Sequence, residues 1–258
     1  MTDNDRGDHA QQPETPGRGV IRSVVPIYRS IASRLRSIRN RRTTDRIRPV
    51  AEPIEAAAPE EFGRVQAWYG DGKGKTTAAL GMGLRAAGHG YRVHVLQFMK
   101  GGADSVEAAR GEYNAIAQLP GITYENSGHY GWHGLLDGSS DDEHAATARA
   151  AFERARELVD AASEADLSSP LQLDGEPDAG VHMLILDEVL YAANRGLVDP
   201  ADLLALLEDR PAGLELVLTG GHERPDYLDG HVDLLSHVAA DRHPFEADGQ
   251  RARKGTEY

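Results

Sequence analysis

Along residues 62–258 the apolar positions follow two rhythms. Short, nearly unbroken apolar runs at Arg64–Tyr69 (RVQAWY), Tyr91–Phe98 (YRVHVLQF), Ile122–Glu125, Val181–Glu188 (VHMLILDE) and Leu214–Thr219 predict buried strands. Between them lie stretches of helical spacing. Lys75-Thr76-Thr77 opens an alanine-rich helix that Gly88 stops. Asp142–Ala165 places Ala148, Phe152, Ala155, Leu158 and Ala162 on one face, and PADLLALLEDR, begun by Asp199 and Pro200, turns its leucines inward. Leu167–Gly180 carries two prolines and two glycines and reads as a loop lengthened by insertion. Strands alternating with helices over short connections predict an α/β fold, with a mostly parallel sheet and helices on both faces.

The first 61 residues break this pattern and read as a disordered or loosely attached extension. Residues 1–17 are polar with scattered Gly and Pro. Arg18–Arg48 then holds ten arginines against one acidic residue, Asp45. Ile21, Val24, Tyr28, Ile31, Leu35 and Ile38 recur at helical spacing, and Pro26 suits a first turn, so a basic amphipathic helix is predicted near 26–40. Ala51–Glu61 (AEPIEAAAPEE) reads as a linker to a domain spanning 62–258. The helix has four readings: an anionic membrane surface, the acidic body of its own chain, nucleic acid, or a start codon read too early. Charge favours the second, because the chain carries −13 in all while its first 60 residues, with 11 basic and 8 acidic side chains, are positive.

Composition narrows the setting. Four lysines, Lys73, Lys75, Lys100 and Lys254, stand against 24 arginines and 41 acidic residues. An acidic, lysine-poor surface stays hydrated where salt screens charge over a few ångströms, which points to a halophile, with an acidic mesophile as the alternative. The absence of cysteine excludes disulfides, a thiol nucleophile and thiolate-ligated metals. No apolar run approaches the ~20 residues of a membrane span, so no stable membrane insertion is expected, and nothing resembles a cleavable signal. The expected compartment is cytoplasmic.

Chemistry concentrates where the first strand meets the first helix. Gly70, Asp71, Gly72, Lys73, Gly74, Lys75, Thr76 and Thr77 form a glycine-rich turn into a helix N-terminus. Such a turn gathers backbone N–H groups and the positive end of the helix around phosphates, with Lys75 reaching the outer ones and the Thr76 hydroxyl suited to Mg²⁺. The pattern G-x-x-x-x-G-K-[ST] is not fully met, since Tyr69 stands at its first glycine. The second signal is the run ending in Asp187 and Glu188, which delivers two carboxylates to one sheet edge, where they can hold a nucleotide's metal ion. Their alternative role is to cap the following helix. His129 and His133, four apart in a glycine-rich loop with no third ligand in view, do not make a metal site.

GDGKGKTTAALG at Gly70–Gly81, followed by Arg85–Gly90 in the form RAxGHG, closely resembles the ATP:corrinoid adenosyltransferases, which make coenzyme B12. The likeness covers about Phe62–Tyr258. Met99-Lys100-Gly101 resembles the family's QFxKG turn, Val189–Gly196 its LTYxxxxG, and Gly128–Trp132 its Gly-Phe-Thr-Trp loop, with His129 or Tyr130 in the phenylalanine's place. Thr219-Gly220-Gly221 resembles a TGR turn without its arginine, Arg224 being the nearest, and His243–Phe245 with Ala252–Tyr258 resembles the closing segment. The resemblance implies a RecA-like P-loop fold. It also implies transfer of the 5′-deoxyadenosyl group from ATP to cobalt(I) of a corrinoid, with release of triphosphate, in adenosylcobalamin biosynthesis or salvage.

On that reading Lys75, Glu188 and Trp132 are catalytic, and Gly70–Thr77 and Arg85 bind the nucleotide. Thr76, Asp187 and Glu188 hold Mg²⁺ or Mn²⁺, and His129, Tyr130, Trp132 and Lys100 contact the corrinoid. The partners implied are the corrinoid substrate, a reductase or reduced flavin as electron donor, and a second copy in a homodimer, with no nucleic acid. Two rival functions remain at this point: a P-loop kinase or NTPase acting at the γ-phosphate, and a nucleotide-gated binding module.

Overall fold

Six parallel strands make one sheet, and their order follows from how much of each is apolar. In the computed structural model these are β1 (Val65–Tyr69), β2 (Val93–Phe98), β3 (Ile122–Ser127), β4 (Met183–Asp187), β5 (Glu215–Thr219) and β6 (Leu234–His237), ordered β3-β2-β4-β5-β1-β6. The fully buried strands β2, β4 and β5 lie inside, while the half-exposed β3 and β6 form the edges. The described residues are 50–99, 111–127 and 141–242, with 247, 249, 250, 253, 255 and 256. By its contacts the chain divides into two units, Met1–Glu52 and Pro53–Tyr258. The expected helix near 26–40 lies outside the described residues.

Alternation along each strand feeds two cores. Leu184 and Leu186 of β4 join Leu216 and Leu218 of β5 on one face, covered by α3 (Asp141–Glu164), α4 (Val189–Asn194) and α5 (Pro200–Asp209). Met183, Ile185 and Val217 face the other way, beneath α1 (Lys75–Gly88) and α2 (Gly111–Ile116). Helices therefore cover both faces, as the sequence pattern predicts. Gly83 lets α1 lie close to the sheet: a Cβ there would stand 3.1 Å from Ile185 Cδ1. α5 starts where expected, with the Asp199 side chain accepting the Ala201 N–H at 2.8 Å.

Three features lay outside the sequence pattern. β6 is only four residues (LLSH), and it pairs with β1 from Gln66↔Leu234 to Tyr69↔His237. Its entry is fixed by Asp233, whose carboxylate accepts the Val65 N–H at 2.8 Å and the Arg64 guanidinium at 2.7 Å; these bonds hold it below the usual carboxylate range. The loop Leu167–Gly180 is anchored from within by Arg92, 1% exposed, whose guanidinium donates to the carbonyls of Leu173 and Gly175. The stretch from Pro53, expected as linker, belongs to the second unit. Ala57 N–H donates to Gly90 O at 3.0 Å, and a Cβ on Gly90 would strike Glu55 O at 1.8 Å. No helix among the described residues is long and apolar enough to cross a membrane.

Candidate functional site

The carboxyl ends of β1, β5 and β4 lie side by side, and each releases the chain into a turn that carries chemistry. At the end of β1 the backbone swings through Gly70, at φ +119, and its N–H donates to Gly221 O at 2.9 Å. Gly72 N–H donates to Val238 O at 2.8 Å, past the end of β6, and a Cβ on Gly72 would stand 2.8 Å from that same oxygen. Gly74, at φ +110 and ψ 0, is the N-cap of α1, so Lys75 and Thr76 occupy the helix's first turn. The N-cap makes no side-chain hydrogen bond, as glycine dictates. Lys75 folds back over the loop, its ammonium donating to Gly70 O at 2.6 Å and Gly72 O at 2.9 Å. Asp71, Lys73 and Thr77 are exposed around it.

The second strand end holds the carboxylates. Asp187 is fully buried. One of its oxygens accepts the Thr219 hydroxyl at 2.5 Å and the other accepts the Gln97 amide at 2.5 Å. Both donors are neutral, so these bonds orient the carboxylate without neutralising it. Glu188 follows at φ +67, a left-handed backbone that non-glycine residues rarely adopt, and its N–H donates to the Thr219 hydroxyl at 3.0 Å. It sits at the N-cap of α4 but makes no side-chain capping bond, so a capping role does not account for it. Instead its carboxylate lies over the next turn: a Cβ on Gly220 would stand 2.9 Å from Glu188 Oε2.

That turn joins cradle to carboxylates. β5 lies between β1 and β4, and Thr219 at its end binds Asp187 and Glu188. Gly220 N–H donates to Trp68 O at 3.1 Å, and Gly221 O receives Gly70 N–H. Gly221, where the family's turn has arginine, is left-handed at φ +71, and a Cβ there would fall 2.3 Å from Asn194 Oδ1. Arg224, the nearest arginine, is engaged elsewhere. Its guanidinium is bound by Asp226 and, at 2.9 and 2.6 Å, by the two oxygens of Asp229.

Residues 61–258 match the family described as ATP:corrinoid adenosyltransferase BtuR/CobO/CobP. This chain belongs to that family. Among curated relatives, a corrinoid adenosyltransferase of Pseudomonas aeruginosa is 31% identical over 220 residues, which cover 85% of this chain and 96% of that one. One from Sinorhizobium sp is 30% identical across 80% of this chain and 86% of its own length. One from Escherichia coli is 27% identical across 83% and 94%. Among solved structures, EssC (ATPases 2 and 3) from Geobacillus thermodenitrificans superposes at TM-score 0.35 with 13% identity over 76% of this chain and 36% of that one, too slight a likeness to bear on the argument.

Within this family member, the structure brings together Gly70–Thr77, Asp187 and Glu188 of the expected site residues. Arg85 is not brought to them: it is exposed in the last turn of α1, ten residues and about 15 Å along the axis from Lys75. Lys100, His129, Tyr130 and Trp132 lie outside the described residues. The sequence reading passed over Gln97, Tyr113, Tyr124 and Asn126, which form a polar cluster beside Asp187. Their signal was slight: Gln97, Tyr124 and Asn126 are single polar side chains in short strands, and Tyr113 stands alone in a short helix.

Proposed function

We propose that the joined strand ends bind ATP by its triphosphate, and that the protein transfers the 5′-deoxyadenosyl group of ATP to cobalt(I) of a corrinoid. Family membership over residues 61–258 carries this reading. In the reaction the cobalt(I) electron pair forms the cobalt–carbon bond, the bond from C5′ to the triphosphate oxygen breaks, and triphosphate leaves with the electrons of that broken bond. Negative charge grows on the leaving group, so the chain's task is to receive it. Backbone N–H groups at the N-terminus of α1, with Lys73 and Lys75, are the donors placed for this. No general base is required, because cobalt(I) attacks without deprotonation.

Asp187, Glu188 and Thr76 offer hard oxygen donors only, which fits Mg²⁺ or Mn²⁺ held by one or two carboxylates together with nucleotide phosphates. When bound, such an ion supplies further charge stabilisation at the leaving triphosphate. Trp132, with His129 or Tyr130, covers the corrinoid in this reading, and Lys100 contacts it. A reductase or reduced flavin delivers the electron that makes cobalt(I). A homodimer working in a saline cytoplasm completes the reading.

The test incubates the protein with ATP, Mg²⁺ and a chemically reduced corrinoid, then looks for a light-sensitive cobalt–carbon product together with intact triphosphate. Phosphate release from ATP at an equal rate without corrinoid, and no alkylated product with it, overturns the reading in favour of a γ-phosphoryl enzyme.

A further inference from the structure

We propose that Gln97 is a positioning residue for Asp187: its side-chain amide, held in one orientation by Tyr113, Tyr124 and Asn126, fixes the carboxylate beside the phosphate cradle. The inference rests on the reading of Asp187 as a carboxylate for the nucleotide's divalent ion.

Gln97 is 1% exposed, in the second-last position of β2. The strand's earlier residues on that face, Val93 and Val95, belong to the apolar core beneath α1 and α2. The neighbours change in step. In register with Gln97 stand Asn126 of β3 and Asp187 of β4, and Thr219 of β5 is bonded to Asp187 in turn. A polar row, Asn126–Gln97–Asp187–Thr219, thus crosses four adjacent strands, where the same face one step earlier carries Tyr124 on β3 but the apolar Val95, Ile185 and Val217 on the other three. Burying such groups costs free energy unless each is paired, and apolar packing alone would have favoured a continued valine.

Pairing within the row has a direction. Three donors converge on Gln97 Oε1: the Tyr124 hydroxyl at 2.5 Å, the Tyr113 hydroxyl at 3.0 Å and Asn126 Nδ2 at 3.2 Å. Asn126 Nδ2 also reaches the two hydroxyls, at 3.1 and 3.3 Å, and the tyrosine rings pack with centroids 4.6 Å apart. Burial pushes the Tyr124 phenol well above its usual range, so it stays a donor at any working pH. A flipped amide would turn its oxygen toward the Asp187 carboxylate, replacing a hydrogen bond with repulsion, and its NH₂ toward the cluster, where the Asn126 amide would oppose it and only the hydroxyl oxygens could accept. The amide NH₂ is therefore aimed at Asp187, which it meets at 2.5 Å. Thr219 grips the opposite oxygen, so the carboxylate plane is fixed from both sides.

The experiment measures Mn²⁺ binding in the presence of ATP by the resonance signal of the free ion, alongside metal-free ATP binding by calorimetry and unfolding temperature. It compares the wild type with Gln97→Leu, the double variant Tyr113→Phe/Tyr124→Phe, and Asp187→Asn. Gln97→Leu should weaken Mn²⁺ binding by about tenfold or more, the range seen when a group behind a metal ligand is removed. Metal-free ATP binding should stay within about twofold, because the cradle is untouched, whereas a merely structural loss would lower both together. The double variant leaves Gln97 in place and frees only its orientation, so it should shift Mn²⁺ in the same direction by a smaller factor. It decides the matter if Gln97→Leu does not fold. If Asp187→Asn loses Mn²⁺ while both other variants keep wild-type affinity, the role of Gln97 is refuted and the metal reading stands. If Asp187→Asn also keeps wild-type affinity, the metal reading itself falls, and the proposal with it.

Discussion

Thr219→Val tests the junction between cradle and carboxylates. Valine keeps the branched shape at the end of β5 and removes only the hydroxyl, which donates to Asp187 at 2.5 Å and accepts the Glu188 N–H at 3.0 Å. The bond to the carboxylate, a charged acceptor, is worth about 1.5–3 kcal/mol, and stranding the Glu188 N–H in a partly buried place costs about 1–3 kcal/mol more. The expected loss is therefore on the order of 3–5 kcal/mol. Thr219→Ser keeps both hydrogen bonds, so it should lose only a methyl contact of about 1 kcal/mol. Urea unfolding with the slope fitted separately for each variant gives both numbers, provided the transition stays two-state. Adenosyl transfer, measured below the unfolding midpoint, should fall in the valine variant and persist in the serine variant, because Glu188 relies on this hydroxyl to hold its left-handed backbone. A valine variant within 1 kcal/mol of wild type would refute the reasoning, as would a serine variant equally damaged.

Further outcomes follow from the same geometry. Lys75→Met removes the ammonium that bridges Gly70 O and Gly72 O and should lower turnover at saturating ATP by about 100-fold or more, measured as alkylated corrinoid. Near-normal turnover would remove the lysine from the site. Stability should also depend on pH through His94, fully buried among Glu125, Arg154, Arg92 and Asp178, with burial pushing its imidazole down to about 4. The unfolded chain takes up this proton near pH 6.5 and the folded one resists it, so the contribution is complete above 6.5 and is lost as pH falls toward 4. Between pH 7 and pH 5 that loss amounts to about 2 kcal/mol, and His94→Gln should remove it from the urea-derived stability difference. An unchanged difference would mean that His94 titrates normally.

What the sequence made legible, and what it hid, follows from physical causes. The strands from Val65, Val93, Met183 and Glu215 were visible because a parallel strand buried on both faces is a continuous apolar run, and β4 is buried at all five positions. The cradle was visible because glycine is the residue that permits Gly70 and Gly74 their positive φ values. β6 was not visible, since its four residues gain their strand character from backbone pairing with β1, which leaves no mark on side-chain pattern. Gln97 stood within a quoted motif, yet its role needs three strands and α2 in register, which no local window contains. Arg85 also stands in a quoted motif, but likeness to a motif says nothing of distance, and the helix sets it ten residues from Lys75.

The cradle's departure from the usual spacing and the sixth strand have a common cause. Tyr69, which stands at the first glycine of the pattern, does not belong to the loop: it is the last residue of β1, paired with His237 of β6 and stacked on its ring at a centroid distance of 4.9 Å. The loop therefore begins one residue late, at Gly70, and must reach the α1 N-cap at Gly74 in fewer residues. A shorter loop has fewer internal carbonyls to satisfy its own N–H groups, and the neighbouring strands supply them. Gly221 O after β5 takes the Gly70 N–H, and Val238 O after β6 takes the Gly72 N–H. That close seating explains the glycines as well, since a Cβ at Gly70 would fall 2.3 Å from Val238 O. With the loop's outward N–H groups spent on β5 and β6, the carbonyls of Gly70 and Gly72 turn inward, where Lys75 binds both. Tyr69, β6 and the resting position of the lysine are thus parts of one arrangement, in which a compact loop is held from outside rather than by its own turns.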